Sequence, residues 1–156
     1  MTDKVKTQDE LIPILDRLKK QGKKVVFTNG CFDILHVGHV RYLKDAKGYG
    51  DILVVAVNSD SSVKSIKGAK RPIVSQSERA EVVAALEMVD YVTMFDEDTP
   101  YNIIKKLQPD VLIKGGDWTI DKIVGRDIVE ARGGRVIAIP FIEGASTTGI
   151  VERILE

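Results

Sequence analysis

The sequence holds one cysteine, two histidines and no net charge, and each scarcity removes a class of function. A lone cysteine, Cys31, cannot close an intrachain disulfide, which suits a reducing compartment. Twenty-three Lys and Arg balance twenty-three Asp and Glu, so no positive field exists to hold a nucleic-acid backbone or an acidic membrane surface. Apolar runs stay strand-sized, far short of the roughly 18 residues of a membrane-spanning helix, and the polar start from Met1 to Lys6 lacks a secretory signal. These absences predict a cytoplasmic protein with neither a nucleic-acid nor a membrane partner. There is no G-x-x-x-x-G-K-[ST] loop and no G-x-G-x-x-G after the first strand, which argues against a P-loop NTPase or a dinucleotide-dependent dehydrogenase. Repeats, low-complexity tracts and linkers are also missing. What remains is 156 residues with 44% hydrophobic content, enough for one domain with a real core.

The hydrophobic pattern predicts an alternation of helices and strands. Leu11, Ile12, Leu15 and Leu18 recur at helical spacing between Thr7 and Gly22, giving an opening amphipathic helix. Strand-like runs follow at Lys24 to Thr28, Asp51 to Asn58, Tyr91 to Phe95, Val111 to Lys114 and Arg135 to Ile139. Helical stretches are expected at His39 to Tyr49, Ser77 to Met88, Pro100 to Leu107, Lys122 to Arg132 and Thr147 to Leu155. Ser75 with Glu78 has the spacing of a capping box, and Thr99 stands before a proline suited to a first helical turn. Such alternation predicts an α/β domain with a parallel sheet covered on both faces. The expected division is a helical extension over residues 1–23 and the α/β domain over 24–156.

Polar and glycine-rich residues fall where an open parallel sheet binds ligands, beyond the carboxyl ends of its strands. Asn29-Gly30 follows the first strand, Asn58-Ser59-Asp60 the second, Lys114-Gly115-Gly116-Asp117 the fourth and Glu143 to Thr148 the fifth. Ordinary turns favour the same residue types. The first turn is more specific, because both histidines of the chain sit in it. His36 and His39, three apart around a helix start, face one side, and Gly38 lets a ligand approach the backbone closely. Free N–H groups and the positive end of the helix dipole complete a phosphate site.

Blander readings exist for each part. The two histidines could be ordinary surface or core residues, and Lys67 a solvated loop lysine. Ser146 to Thr148 could simply cap the last helix, a role compatible with phosphate binding. A zinc site of Cys31, Asp33, His36 and His39 lacks a second Cys or His cluster to complete it. Cys31 reads as a small packing residue, since nothing nearby argues for a depressed thiol pKa.

His36-x-Gly38-His39 after a strand and Ser146-Thr147-Thr148 opening the last helix resemble the two hallmark motifs of the nucleotidylyltransferase superfamily. Thr28 to Asp33, Val57 to Asp60 with Lys67-Gly68, Arg71-Pro72-Ile73 and Lys114 to Asp117 are similar to the bacterial heptose 1-phosphate adenylyltransferases, from about Lys24 to the C-terminus. That family is often fused behind a sugar kinase; with no kinase half read in these residues, the expectation is a resemblance to the stand-alone form. The resemblance implies a Rossmann-like doubly wound sheet of five parallel strands. It makes His36 and His39 donors to the triphosphate and Lys67 a cation at the reacting phosphates, with Lys64 a second candidate. Ser146, Thr147 and Thr148 would hold the β- and γ-phosphates, and Asp117 would face the nucleotide or a magnesium ion. Thr28, Asn29, Gly30, Phe32, Gly38 and Gly115 would complete the nucleotide surface, and Asp33, Asn58, Asp60, Arg71 and Arg126 the acceptor side. Mg²⁺ would arrive with ATP, and a homo-oligomer is implied. Trp118 departs from the tyrosine expected there.

The chemistry agrees with that resemblance. A sugar 1-phosphate is mostly dianionic at neutral pH, its second ionisation lying near ~6, so it can attack the α-phosphorus without a general base. Positioning and charge stabilisation are the remaining tasks. The nearest rival is a cytidylyltransferase acting on glycerol 3-phosphate or a similar polyol phosphate, which shares both motifs. Cys31, where those enzymes show threonine, and the Lys114 to Asp117 segment favour the heptose branch. A non-catalytic nucleotide-sensing module is a further alternative, opposed by the intact histidine pair and Lys67.

Overall fold

The computed structural model of the protein describes residues 3–116 and 118–156. Five parallel strands, β1 (Val25–Gly30), β2 (Ile52–Asn58), β3 (Tyr91–Phe95), β4 (Val111–Gly115) and β5 (Arg135–Ile139), lie in the order β3-β2-β1-β4-β5. Register runs from Val25 opposite Ile52 to Gly30 opposite Val57 on one side of β1, and from Val26 opposite Val111 on the other. Strand order therefore reverses between β1 and β4, which opens a crevice at their carboxyl ends.

The helices are α1 (Gln8–Lys20), α2 (Val37–Lys47), α3 (Asp60–Lys67), α4 (Gln76–Ala84), α5 (Tyr101–Leu107), α6 (Arg126–Ala131) and α7 (Thr147–Leu155). Because strand side chains alternate, each strand feeds two cores. Val26, Leu53, Val55, Val57, Val111 and Ile113 pack with Leu43 and Ala46 of α2 and Ala80, Val83 and Ala84 of α4. Phe27, Val54, Ala56 and Leu112 pack on the other face with Leu11 and Leu15 of α1, Ile103, Ile104 and Leu107 of α5, and Val129 of α6. Both faces of the sheet are covered, as the continuous apolar runs require. The opening helix thus contributes two fully buried leucines to the core it shares with β1.

Local details differ from the sequence expectation in four places. Helix α3 was not anticipated: its eight residues are mostly polar, only Ser62 and Val63 are buried, and Ser59 caps it by accepting from the Ser62 N–H. The helix expected over Lys122 to Arg132 is broken, with a 3-10 turn at Ile120–Lys122 and α6 beginning after Gly125, whose φ of 92° no helix tolerates. Ser75 does stand at the N-cap of α4 but forms no cap bond; its hydroxyl donates instead to the Glu78 carboxylate at 3.1 Å. Pro100, not Thr99, occupies the N-cap of α5.

Candidate active site

The turn after β1 is shaped by residues 30 to 39. Phe32 takes a left-handed φ of 48°, folding its ring back over Gly30, where an added Cβ would lie 2.9 Å from it. His36 then caps α2. Its Nδ1 accepts from the Gly38 N–H at 3.1 Å, and His39 Nδ1 accepts from the His36 N–H at 3.3 Å. The two rings stack with centroids 3.9 Å apart, and Phe32 lies 5.2 Å from His39.

That arrangement fixes the tautomer. A ring nitrogen that accepts from a backbone N–H carries no proton, so each neutral imidazole holds its hydrogen on Nε2. Burial, and then the neighbouring His36, lower His39 to about 4; burial also lowers His36. At neutral pH both rings are therefore uncharged, each with one Nε2–H donor to offer. Gly38 is also constrained by the protein itself. An added Cβ would lie 2.8 Å from His36 Cε1 and 3.1 Å from the Ala145 Cβ.

Helix α7 docks beside this turn. The Thr147 hydroxyl donates to the Ile34 carbonyl at 3.2 Å, and Ser146 Oγ caps the helix by accepting from the Gly149 N–H at 2.9 Å. Across from it, Arg71 reaches over from the segment between α3 and α4, its Nη2 3.5 Å from Thr148 Oγ1 and its Nη1 3.6 Å from Asp33. Two helix N-termini and one guanidinium thus share one opening, an anion-binding combination.

Several expected site residues are committed to holding that opening together. Asp33 is 6% exposed, and its carboxylate accepts from the Ile73 and Val74 N–H groups at 2.9–3.0 Å. Asn58 is buried and donates to Ser62 Oγ at 3.0 Å, which in turn donates to the Glu97 carbonyl. Asp60 pairs with Arg79 at 3.0 Å. Thr28 is buried and bonded to the Tyr42 hydroxyl; burial pushes that phenol up to about 12. Asn29 is half-buried at the end of β1, while Lys64 and Lys67 are exposed on α3. Arg126 stands apart, paired with Glu130 one turn along α6. Asp117 lies outside the described residues.

Gly115 and Gly116 make room for aromatic rings. An added Cβ at Gly115 would meet Phe141 at 3.0 Å and Tyr42 at 3.2 Å; Gly116 has a φ of 111° and faces Phe141 and Trp118. Burial pushes the half-buried Cys31 thiol up, against the charges of Lys67, Arg79 and Lys114.

Two residues that matter were missed from the sequence. Arg79 is fully buried, donating to the carbonyls of Val74 and Cys31 and to Asp60. Tyr42 joins Thr28 of β1 to the Ile113 carbonyl of β4. A signal existed for Arg79: it lies four residues before buried Val83, on the apolar face of α4, where a charged residue needs partners.

An α/β sheet with its ligand crevice at a strand-order reversal, flanked by two helix N-termini, is a nucleotide-binding architecture. The sequence matches the cytidylyltransferase-like family over residues 27–153, and the chain belongs to that family. It is 57% identical over 153 residues to the bifunctional protein HldE of Geobacter sulfurreducens and 57% identical over 152 residues to that of Citrifermentans bemidjiense. Those alignments cover 98% and 97% of this chain, which spans 31% of the length of either relative. Among solved structures, a lipopolysaccharide core biosynthesis protein from Thermoplasma volcanium superposes with a TM-score of 0.64 at 29% identity, covering 80% of this chain and all of that one. A pantoate-β-alanine ligase from Francisella tularensis, 15% identical with a TM-score of 0.61 over 94% of this chain and 75% of its own, shares the fold.

Proposed function

We propose that this chain transfers AMP from ATP to D-glycero-β-D-manno-heptose 1-phosphate, giving ADP-heptose for lipopolysaccharide core or related glycan synthesis. The observation that carries the reading is the stacked pair of neutral histidines at the start of α2, whose Nε2–H groups have no hydrogen-bond partner among the described residues. An acceptor phosphate oxygen attacks the α-phosphorus, the bond to the bridging oxygen of the β-phosphate breaks, and pyrophosphate leaves. His36 and His39 donate to the developing charge, and the N-terminus of α7 with Ser146 and Thr148 holds the departing phosphates. Arg71 and Lys67 supply positive charge, Lys67 from the last turn of α3.

Asp33 and Asp60 act in this proposal by holding Arg71 and the first turn in place. Among the described residues no group of three His, Cys, Asp or Glu side chains converges to hold a metal. In this reading Mg²⁺ would arrive on the nucleotide's own phosphate oxygens, where it would neutralise charge. No helix among the described residues is long and apolar enough to cross a membrane. The family match supports nucleotidyl transfer, and the similarity to a lipopolysaccharide core biosynthesis protein supports the glycan setting of that reading.

The test is pyrophosphate release with ATP, CTP, GTP or UTP against heptose 1-phosphate, hexose 1-phosphates and glycerol 3-phosphate. ATP with heptose 1-phosphate should be the best pair, and chelation of divalent metal should abolish turnover until Mg²⁺ is restored. A preference for CTP with glycerol 3-phosphate moves the chain to the rival branch, and nucleotide binding without release from any pair makes it a sensing module.

A further inference from the structure

Sheet order sets Lys114 apart from the other lysines of the chain. Strand β4 returns to the flank of β1 opposite β2, so Lys114, near the carboxyl end of β4, stands at the strand-order reversal where open parallel sheets bind ligands. Its side chain is half-buried. Among the described residues its ammonium has no hydrogen-bond or ion-pair partner, only the face of the Trp118 ring, 5.3 Å away. Withdrawing a lysine from water without a counter-ion is unfavourable.

A second cation approaches from the other flank. Lys67 ends α3, the helix that follows β2, so the two lysines bracket the turn after β1 from its two neighbouring strands. Both charges act on the Cys31 thiol, as do those of Arg79 and, with opposite sign, Asp33. Burial, and to a lesser degree the charge of Lys67, lowers the pKa of Lys114. The carboxylate of that turn, Asp33, is engaged by the Ile73 and Val74 N–H groups and by Arg71, so among the described residues neither lysine has an ion-pair partner, and a bound anion would supply one.

We propose that Lys114 is a further substrate-binding residue, which pairs with Lys67 across the Cys31 turn to hold the phosphate of the acceptor. The inference rests on the transfer reading for the identity of its anion. In that reading the histidines and the start of α7 engage the triphosphate. The acceptor's phosphate dianion, for which that reading offers Arg71 and Lys67, must come close to the like-charged α-phosphate. Two lysines beside the turn offset that repulsion, and Lys114, held at a strand end, aims the phosphate. The Trp118 ring, 46% exposed beside Lys114, offers a flat apolar face to the carbon skeleton of a sugar.

Two measurements test this, one of them independent of turnover. In protein carrying ¹³Cε-labelled lysine, the Lys114 resonance is assigned by its loss in K114R and titrated with and without inorganic phosphate. It should titrate below the ordinary lysine range in the free protein and move upward when phosphate is added; a Lys114 signal that ignores tens-of-millimolar phosphate overturns the assignment. In steady-state assays, Lys114→Met should raise the acceptor KM about 10-fold while the ATP KM stays within about twofold, the loss expected for one charge-assisted contact. K114R should recover most of that loss. An acceptor KM changed less than about threefold, or an effect confined to ATP, also overturns the inference. If no substrate pair turns over, the transfer reading fails by itself, and the phosphate titration still decides whether Lys114 holds an anion.

Discussion

Arg79 donates from Nη1 to the carbonyl of Cys31 at 2.6 Å, joining helix α4 to the turn after β1 across 48 residues. The same guanidinium holds the Val74 carbonyl and the Asp60 carboxylate. One buried cation therefore ties together three of the segments that frame the crevice.

Arg79→Met should lower folding stability by about 3 kcal/mol, because it leaves two carbonyls and a carboxylate without their charged donor. Urea unfolding of the purified variant reads this directly. Arg79→Lys should lie between the two, since an ammonium can reach some of the acceptors but not all. A variant as stable as the parent would show that water replaces the guanidinium without loss.

The histidine pair makes a signed prediction about pH. His39 titrates at about 4 in the folded chain against a usual value of 6.5, because burial and then His36 disfavour its cation. On acidification the unfolded chain binds this proton first. The stabilising contribution is therefore complete above about pH 6.5 and is lost progressively as pH falls toward 4. Proton NMR of the two imidazoles in the free protein should find His39 far below 6.5, and urea unfolding should be easier at pH 5 than at pH 7. A His39 midpoint near 6.5 would contradict both the burial and the assigned tautomer.

In the proposed transfer the two ends of each imidazole would have separate jobs, which substitutions can separate. Asparagine can reproduce the Nδ1 acceptor and keep the cap of α2, while glutamine can place an amide donor near the position of Nε2. His39→Asn and His39→Ala should both lose roughly 10²-fold or more in kcat, as for removal of one transition-state donor. His39→Gln should retain more turnover than either, with the cap weakened. Equal turnover in the asparagine and glutamine variants would mean that the Nε2 donor is not used.

Gly38→Ala offers a contrast between fold and chemistry. Alanine favours the helix by up to about 1 kcal/mol, yet its Cβ would press on His36 at 2.8 Å and on Ala145 at 3.1 Å. The thermal midpoint should change little while turnover falls, by as much as roughly 10²-fold if the donor shifts by an ångström. Unchanged kcat would show that the His36 ring can move without consequence.

The sheet and its two-sided cover could be read from the sequence, because uninterrupted apolar runs such as that within Asp51 to Asn58 mark strands buried on both faces. Helix α3 could not, since only Ser62 and Val63 are buried and its cap lies in a polar stretch that reads as loop. The motif residues were found as residues, but not their division of labour. Asp33, Asn58 and Asp60 looked like ligand contacts, and their partners, Ile73, Ser62 and Arg79, are brought to them by folding. Spacing along the chain could give His36 and His39 one face; it could not show that each ring is held by a backbone N–H and so left with its donor free.

The bonds that orient the histidines span only two and three residues, whereas those that bring up Arg71 and α7 span 40 to 113. Contacts within a single turn close on the timescale of helix formation, while distant segments meet only after the sheet has ordered them. The orientation of the histidine pair is therefore set by contacts local to the first turn of α2. The opening around it depends on contacts that cross the whole domain, Thr147 on Ile34 among them, so a change far from the histidines can alter the opening while leaving their rings in place.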